Sequence, residues 1–144
     1  MTLEKILAYR NPAVLKRYTE NFSNNHLSAE DAWCELVKYF WLCEKHHQDS
    51  QREPHNPAFA FACAIHPEMQ EIDDMWHTFL LFTKDYAAFC NEYFGHFIHH
   101  NPNTDDAEIS QIEFEKEFSL FAAYVYDHLG ENTVRVWFAP LLQD

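Results

Sequence analysis

Histidines and carboxylates gather in one aromatic stretch of the chain. They are, in chain order, Asp73, Asp74, His77, His96, His99 and His100. Imidazole and carboxylate groups are the usual protein ligands of transition metals, and imidazole is also the group that most readily exchanges a proton near neutral pH. The stretch therefore predicts a site that binds a metal ion or handles protons.

The spacing of these residues narrows the choice of ligands. Side chains four residues apart rise from the same face of an α-helix, so Asp73 and His77 could reach one ion. Another ligand must come from outside this helix, and the His99-His100 pair is the nearest source. Because successive side chains diverge, we expect only one of that pair to point inward. The candidate metal ligands are thus Asp73, His77, His99 and His100.

A shared ion requires the chain to turn between the two groups of histidines. Apolar residues recur at helical spacing over residues 67–94, as they would in one unbroken helix. In such a helix His77 would lie roughly 25 Å from the end. The residues that follow could reach back only about 20 Å even when extended. Thr83, with Asp85 in the first turn, is typical of a helix N-cap, so we predict a corner there and a second helix that ends at Gly95.

Aromatic residues surround the candidate ligands. Trp76 directly precedes His77, and Tyr86 follows the predicted corner. Residues that pack against a metal ligand or donate a hydrogen bond to it fix its orientation. We therefore expect Trp76 and Tyr86 to support the site, with the Tyr86 hydroxyl group orienting a histidine ring.

This combination of residues is similar to the plant and bacterial glycine-rich-domain-containing-protein-like family. The matching positions are Asp73, Trp76, His77, Tyr86, Gly95 and His100. Two positions differ, since Phe79 stands where the family commonly has the second His of Trp-His-x-His, and Thr83 stands where it has Pro. The resemblance covers residues 73–100. It implies a histidine-containing helical motif but no reaction, because the family has no established chemistry.

Composition predicts the fold class. The 144 residues suit one domain, 17% of them are aromatic, and only two are glycine, which favours helices packed by large side chains over a turn-rich β architecture. We predict an all-α, compact single-domain bundle of about five to seven helices around the central helix-corner-helix. The 23 acidic and 10 basic residues give a formal net charge of −13, which argues against nucleic acid as a partner.

The single domain, residues 1–144, divides into four predicted segments. Residues 1–50 form N-terminal helices, 51–66 a connector, 67–102 the histidine-rich helical hairpin, and 103–144 a C-terminal helix and tail. The predicted helix starts are at Thr2, Pro12, Ser28 and about Ala107, with helix ends near His47 and His128. Two apolar stretches stay ambiguous: residues 58–65 fit a short buried helix or an extended segment, and 133–138 fit an edge-like tail or a last helical turn.

The N-terminal residues and the cysteines bear on the compartment. The first residues contain charges of both signs and no long apolar run, so we expect neither a signal peptide nor a membrane span. Cysteines stand at positions 34, 43, 63 and 90 with no Cys-x-x-Cys spacing, and Cys34 and Cys43 have the apolar neighbours of buried thiols. We predict a reduced, cytoplasmic protein.

Three functions fit this sequence. The first is a binding or scaffold domain with a transition metal, zinc or iron, held by the histidine and aspartate side chains. The second is a metal-dependent hydrolase or oxygen-using enzyme with an open coordination position in a pocket beside His77. The third is a metal-free domain that binds a partner protein through its aromatic residues. The sequence does not decide whether the protein is an enzyme.

A dinuclear metal site is a weaker alternative. Glu44 with His47 has the spacing of the Glu-x-x-His pairs of di-iron bundles, and Asp74 with His77 gives a shorter version of the same arrangement.

Overall fold

Seven α-helices make up most of the residues that the computed structural model describes, which are 2–101 and 110–142. They are α1 (Leu3–Leu7), α2 (Pro12–Asn21), α3 (Ala29–Arg52), α4 (Gln70–Leu80), α5 (Thr83–Phe94), α6 (Gln111–Leu129) and α7 (Glu131–Leu142). Two 3₁₀ turns, Pro57–Phe59 and Pro67–Met69, lie between α3 and α4. The described residues contain no strand, so the predicted all-α fold is confirmed.

The first three helices begin where the sequence predicts. The side-chain oxygens of Thr2, Asn11 and Ser28 each accept a hydrogen bond from the backbone N–H three residues further on. These bonds satisfy donors that have no partner within the helix. Pro12 occupies the first turn of α2, where its missing N–H group costs nothing.

The end of α3 differs from the prediction, because the helix continues past His47 to Arg52. Its last turn is held by the buried carboxylate of Asp49, which accepts hydrogen bonds from the Tyr124 hydroxyl group of α6 at 2.6 Å and from Arg52 at 2.7 Å. His46 is also buried. The polar sequence there indicates a frayed, solvated end, but contacts with α6 stabilise the helix instead. The connector therefore begins at Glu53.

The core is aromatic, and α3 lies at its centre. This helix contacts α1, α2, α4 and α6. The ring centre of its Trp33 is 5.1 Å from that of Phe79 in α4, and the ring centre of its Phe40 is 5.1 Å from that of Trp76, also in α4. All four side chains are buried, so much of the high aromatic content serves the interior.

The chain around α4 and α5 contains the predicted corner. Of the ambiguous residues 58–65, the first two belong to the 3₁₀ turn Pro57–Phe59, and the others lie in a segment, 60–66, that belongs to no helix or strand. Helix α4 ends at Leu80, and α5 begins at Thr83. Thr83 is thus the first residue of α5 and not its cap; Phe82 takes the cap position without a side-chain hydrogen bond. Gly95 ends α5 with a φ of 76°, the left-handed conformation that favours glycine.

The C-terminal part contains two helices instead of a helix and a tail. Ser110 caps α6, and the predicted start at Ala107 lies outside the described residues. The β-branched stretch that follows is helical in α7 because its Trp137 is fully buried and donates a hydrogen bond to Glu35 of α3 at 2.9 Å. Burial therefore overrides the local preference of β-branched residues for strands.

Two further findings concern membrane crossing and the state of the cysteines. Among the described helices, none has the length and apolar character that crossing a membrane requires. All four cysteines are free thiols; Cys90 is buried, whereas Cys34 and Cys43 are half-buried and not buried as predicted.

The Asp49 contacts give a pH-dependent stability. Burial tends to raise the pKa of Asp49, but the hydrogen bond from Tyr124 and the charges of Lys45 and Arg52 outweigh it and lower the pKa. A group whose pKa is lower in the folded state stabilises the fold above its unfolded-state pKa, which is about 3.9 for Asp. That contribution is lost as the pH falls through the folded-state pKa.

Replacing Asp49 with Asn should therefore reduce the free energy of unfolding by about 1–3 kcal/mol near neutral pH and by progressively less in acid. Urea denaturation at a series of pH values measures this. Glu131→Gln is the control, because its ion pair with Arg135 is exposed and should contribute less than about 0.5 kcal/mol. A destabilisation by Asp49→Asn that does not change with pH would contradict the assignment.

Candidate metal centre

Two of the candidate ligands lie on one face of α4. The Oδ2 atom of Asp73 is 3.6 Å from Nε2 of His77, as expected for residues one helical turn apart. The Asp73 side chain is only 16% exposed, whereas that of His77 is 54% exposed. The opposite face of α4 contributes Ile72, Met75 and Phe79 to the core. The helix therefore presents the pair at the boundary between the core and solvent.

The first turn of α4 is fixed to the chain that precedes α3. Glu71 accepts hydrogen bonds from the backbone N–H groups of His26 at 3.0 Å and Leu27 at 2.7 Å. Burial tends to raise the pKa of Glu71, but these hydrogen bonds lower it, so the carboxylate stays charged. Asp74 accepts a hydrogen bond from Asn25 at 3.0 Å. These contacts limit rotation of α4 and hence the direction in which Asp73 and His77 point.

The third ligand comes from the segment after α5. His100 donates a hydrogen bond from Nε2 to Oδ1 of Asp73 at 2.6 Å, and its side chain is 19% exposed. The centres of the His77 and His100 rings are 4.6 Å apart. One ligand atom from each of Asp73, His77 and His100 lies within 4.8 Å of the other two, and no other such group occurs in residues 2–101 and 110–142. We call these three residues the triad.

Tyr86 determines where this segment lies. Its hydroxyl group donates a hydrogen bond to the backbone carbonyl of Ile98 at 2.5 Å and accepts one from Nε1 of Trp76 at 3.0 Å. Burial raises the pKa of Tyr86, so the hydroxyl group keeps the proton that it donates. The expected hydrogen bond to a histidine ring is not formed. Tyr86 instead holds the backbone two residues before His100.

Trp76 supports the triad by direct packing. The centre of its ring system is 4.2 Å from that of the His100 ring, with an angle of 56° between the planes. Trp76 is only 7% exposed, so it covers one side of the imidazole from water. The expected supporting roles of Trp76 and Tyr86 thus take the form of a ring contact and a backbone hydrogen bond.

The remaining histidines of the stretch lie apart from the triad. The ring of His99 packs 4.8 Å from that of Phe97. His96 donates a hydrogen bond to Glu44 at 2.9 Å, which raises the pKa of His96. Of the four candidate ligands, three therefore converge, and His99 does not join them. The sequence could not separate His99 from His100, since the Ile98 carbonyl that decides between them has no side-chain signature.

The residues of the dinuclear alternative are also engaged elsewhere. Glu44 is paired with His96, and Asp74 accepts hydrogen bonds from Asn25 and from Gln70, the latter at 2.9 Å. Neither carboxylate belongs to a group of ligand atoms in the described part of the chain. The structure therefore does not bring the two halves of that site together.

Two surface clefts are lined by residues other than the triad. The larger has a volume of about 640 Å³ and is lined by Trp76 and His99, among others, while the smaller has a volume of about 260 Å³ and is lined by Trp41 and Tyr93, among others. None of the three triad residues lines either cleft. The enzyme alternative expected a pocket beside His77; the larger cleft reaches Trp76, which packs against His100, but His77 does not line it.

Comparison with known proteins gives one finding. A family model described as UCP032817-like matches residues 59–123, so the chain is similar to this family over that region. The family is uncharacterised and gives no function. The matched region contains α4, α5 and all three residues of the triad. No curated protein and no solved structure matches the chain significantly.

Replacing Tyr86 with Phe tests how the segment after α5 is held. The change leaves the Ile98 carbonyl and the Trp76 N–H group without a partner and should lower the free energy of unfolding by about 1–3 kcal/mol. The Trp76 and His100 ring signals should also shift in an NMR spectrum. Tyr93→Phe in the same helix is the control, because the Tyr93 hydroxyl group makes no hydrogen bond among the described residues. Equal effects of the two changes would count against this role of Tyr86.

Proposed function

We propose that this protein binds one transition-metal ion through Asp73, His77 and His100, and that the ion serves a binding or scaffold role. One observation supports this most directly: a single carboxylate has one oxygen facing each of two imidazoles, and the chain brings the second imidazole from another segment. Mixed nitrogen and oxygen ligands from separate segments are typical of zinc and iron sites in proteins.

The ligand atoms lie close enough together to converge on one ion if the side chains adjust. With bonds of about 2.0–2.1 Å, neighbouring ligands of a tetrahedral zinc ion lie roughly 3.3 Å apart. The separation of Asp73 and His77 is already close to this, at 3.6 Å. Asp73 and His100 are 2.6 Å apart because a proton joins them. Because the two distances involve different oxygens of Asp73, an ion would replace that proton and the carboxylate would turn to present an oxygen to it.

The charge of the triad favours a cation. One carboxylate with two neutral imidazoles has a net charge of −1, and the chain as a whole has a formal net charge of −13. Both attract a divalent ion. Ligands of this type suit zinc or ferrous iron better than magnesium or calcium, which prefer oxygen. Three protein ligands leave one coordination position, on the side where His77 is exposed, for water or a partner's side chain.

A binding role fits this geometry better than catalysis. A metal-dependent hydrolase needs room for a substrate at the open position and a nearby group to move a proton. The triad lines neither of the two clefts, and the adjacent carboxylate of Asp74 is held by Asn25 and Gln70. A tie between α4 and the segment after α5 needs neither of these two features.

We also propose a relationship with the glycine-rich-domain-containing-protein-like family. The matching residues have identifiable roles in the site. Asp73, His77 and His100 are the proposed ligands, and Trp76 packs against the His100 ring. Tyr86 donates the hydrogen bond to Ile98, and Gly95 ends α5. Phe79, which replaces the second histidine of the family pattern, is fully buried in the core and 5.1 Å from Trp33. The replacement therefore takes no ligand from the triad.

Metal titration of tag-free protein, first freed of metal by a chelator, tests the proposal. Calorimetry with Zn²⁺ should show one ion per chain. His77→Ala, His100→Ala and Asp73→Asn should each weaken binding by more than about tenfold, because even residues that only orient ligands contribute about 10–100-fold. Zinc at about 100 times its Kd should stabilise the wild type by about 2.7 kcal/mol.

His99→Ala is the matched control, since it removes the neighbouring imidazole and leaves the triad intact. It should bind zinc as the wild type does. Circular dichroism confirms that each variant is folded. The proposal fails if the wild type and the His77 and His100 variants bind equal amounts of metal, and it also fails if His99→Ala alone abolishes binding.

A further inference from the structure

A pair of cysteines meets in the larger cleft, outside the triad. Cys43 lies on α3, and Cys63 lies in the non-helical segment that precedes α4. Both side chains line the cleft of about 640 Å³, both are half-buried, and neither is in a disulfide. This pairing is not predictable from the sequence, because the two residues are 20 positions apart and lack a redox-motif spacing.

The two thiols are direct neighbours. The Cys43 thiol, followed by burial, raises the pKa of Cys63. Burial and then the same two thiols raise the pKa of Tyr39, whose side chain lines the same cleft. The sulfur of Cys63 therefore resists losing its proton, which makes Cys63 the poorer nucleophile for a first attack.

We propose that Cys43 and Cys63 form a modification site at which a low-molecular-weight disulfide of the glutathione class converts the two thiols into one intramolecular disulfide. The cleft opens to solvent, and its volume is within the range of small-molecule sites, about 300–1,000 Å³. Gln48 and Gln51 lie along it and offer amide groups to a peptide-like reagent. The proposal does not depend on metal binding by the triad.

The reaction has two exchange steps. The Cys43 thiolate attacks one sulfur of glutathione disulfide, which breaks its S–S bond, forms a mixed disulfide and releases one glutathione thiolate. Cys63 then loses its proton and attacks the Cys43 sulfur, which forms the Cys43–Cys63 bond and releases the second glutathione. The two thiol protons end on the two glutathione molecules. The protein sulfurs are oxidised, and glutathione disulfide is reduced by the same two electrons.

One cysteine of the pair lies outside regular secondary structure. A disulfide requires Cα atoms about 4.4–6.8 Å apart, so the bond closes only if one cysteine can adjust its position. Cys43 lies within α3, but Cys63 lies among residues 60–66, which belong to neither a helix nor a strand. Cys63 is therefore the residue that can move. The bond would join α3 to this segment next to Trp76, which lines the same cleft.

The other two cysteines serve as internal controls. Cys34 accepts a hydrogen bond from Arg10 at 3.6 Å and does not line the cleft. It should form at most a mixed disulfide. Cys90 is fully buried and should not react while the protein is folded.

The test treats full-length protein with glutathione disulfide under nitrogen and in the presence of a chelator, followed by intact mass measurement and peptide mapping. The Cys34→Ser variant has three thiols and should lose two of them, together with the mass of two hydrogens. Peptide mapping should then show Cys43 linked to Cys63. Adding Cys63→Ser should leave one glutathione on Cys43. Adding Cys43→Ser should abolish the reaction.

Three results would overturn the proposal. One is a stable glutathione adduct on Cys43 with no internal bond although Cys63 is present. Another is a bond that joins any other pair of cysteines. A third is a Cys43–Cys63 bond that appears only together with modification of Cys90, since that would show that the unfolded chain had reacted. Thermal melting before treatment verifies that each variant is folded.

Discussion

The hydrogen bond from the Tyr86 hydroxyl group to the Ile98 carbonyl is the contact on which the triad depends. Asp73 and His77 are brought together by one turn of α4, but His100 has no such local constraint. It lies six residues beyond Phe94, the last residue of α5, where the chain could take many paths. The buried hydroxyl group selects one of them, and the Trp76 N–H group completes its hydrogen bonding. The position of the third ligand is therefore determined within the core.

This dependence explains which parts of the site were predictable from sequence. The facing pair on α4 follows from the helical period, and the left-handed turn at Gly95 follows from glycine's freedom at positive φ. The corner followed from a length argument, although Thr83 begins α5 and does not cap it. The choice between His99 and His100 did not follow, because a backbone carbonyl makes it.

The fold shows the same division between local and tertiary causes. Helix starts at Thr2, Asn11 and Ser28 are encoded by caps within a few residues, and these were predictable. The end of α3 and the helical state of α7 were not. At the end of α3, a buried hydrogen bond to Asp49 from a distant helix overrides the polar local sequence. In α7, a buried hydrogen bond from Trp137 to a distant helix overrides the β-branched local sequence. Such contacts join residues too far apart in the chain for local patterns to reveal them.

Trp76 connects the two sites physically. One part of its side chain packs against the His100 ring, and another lines the cleft that contains Cys43 and Cys63. Its N–H group is fixed to Tyr86, so the ring cannot turn without breaking a buried hydrogen bond. The same ring therefore forms part of the cleft wall and one side of the His100 environment, and its orientation is set by the buried hydrogen bond and not by either site.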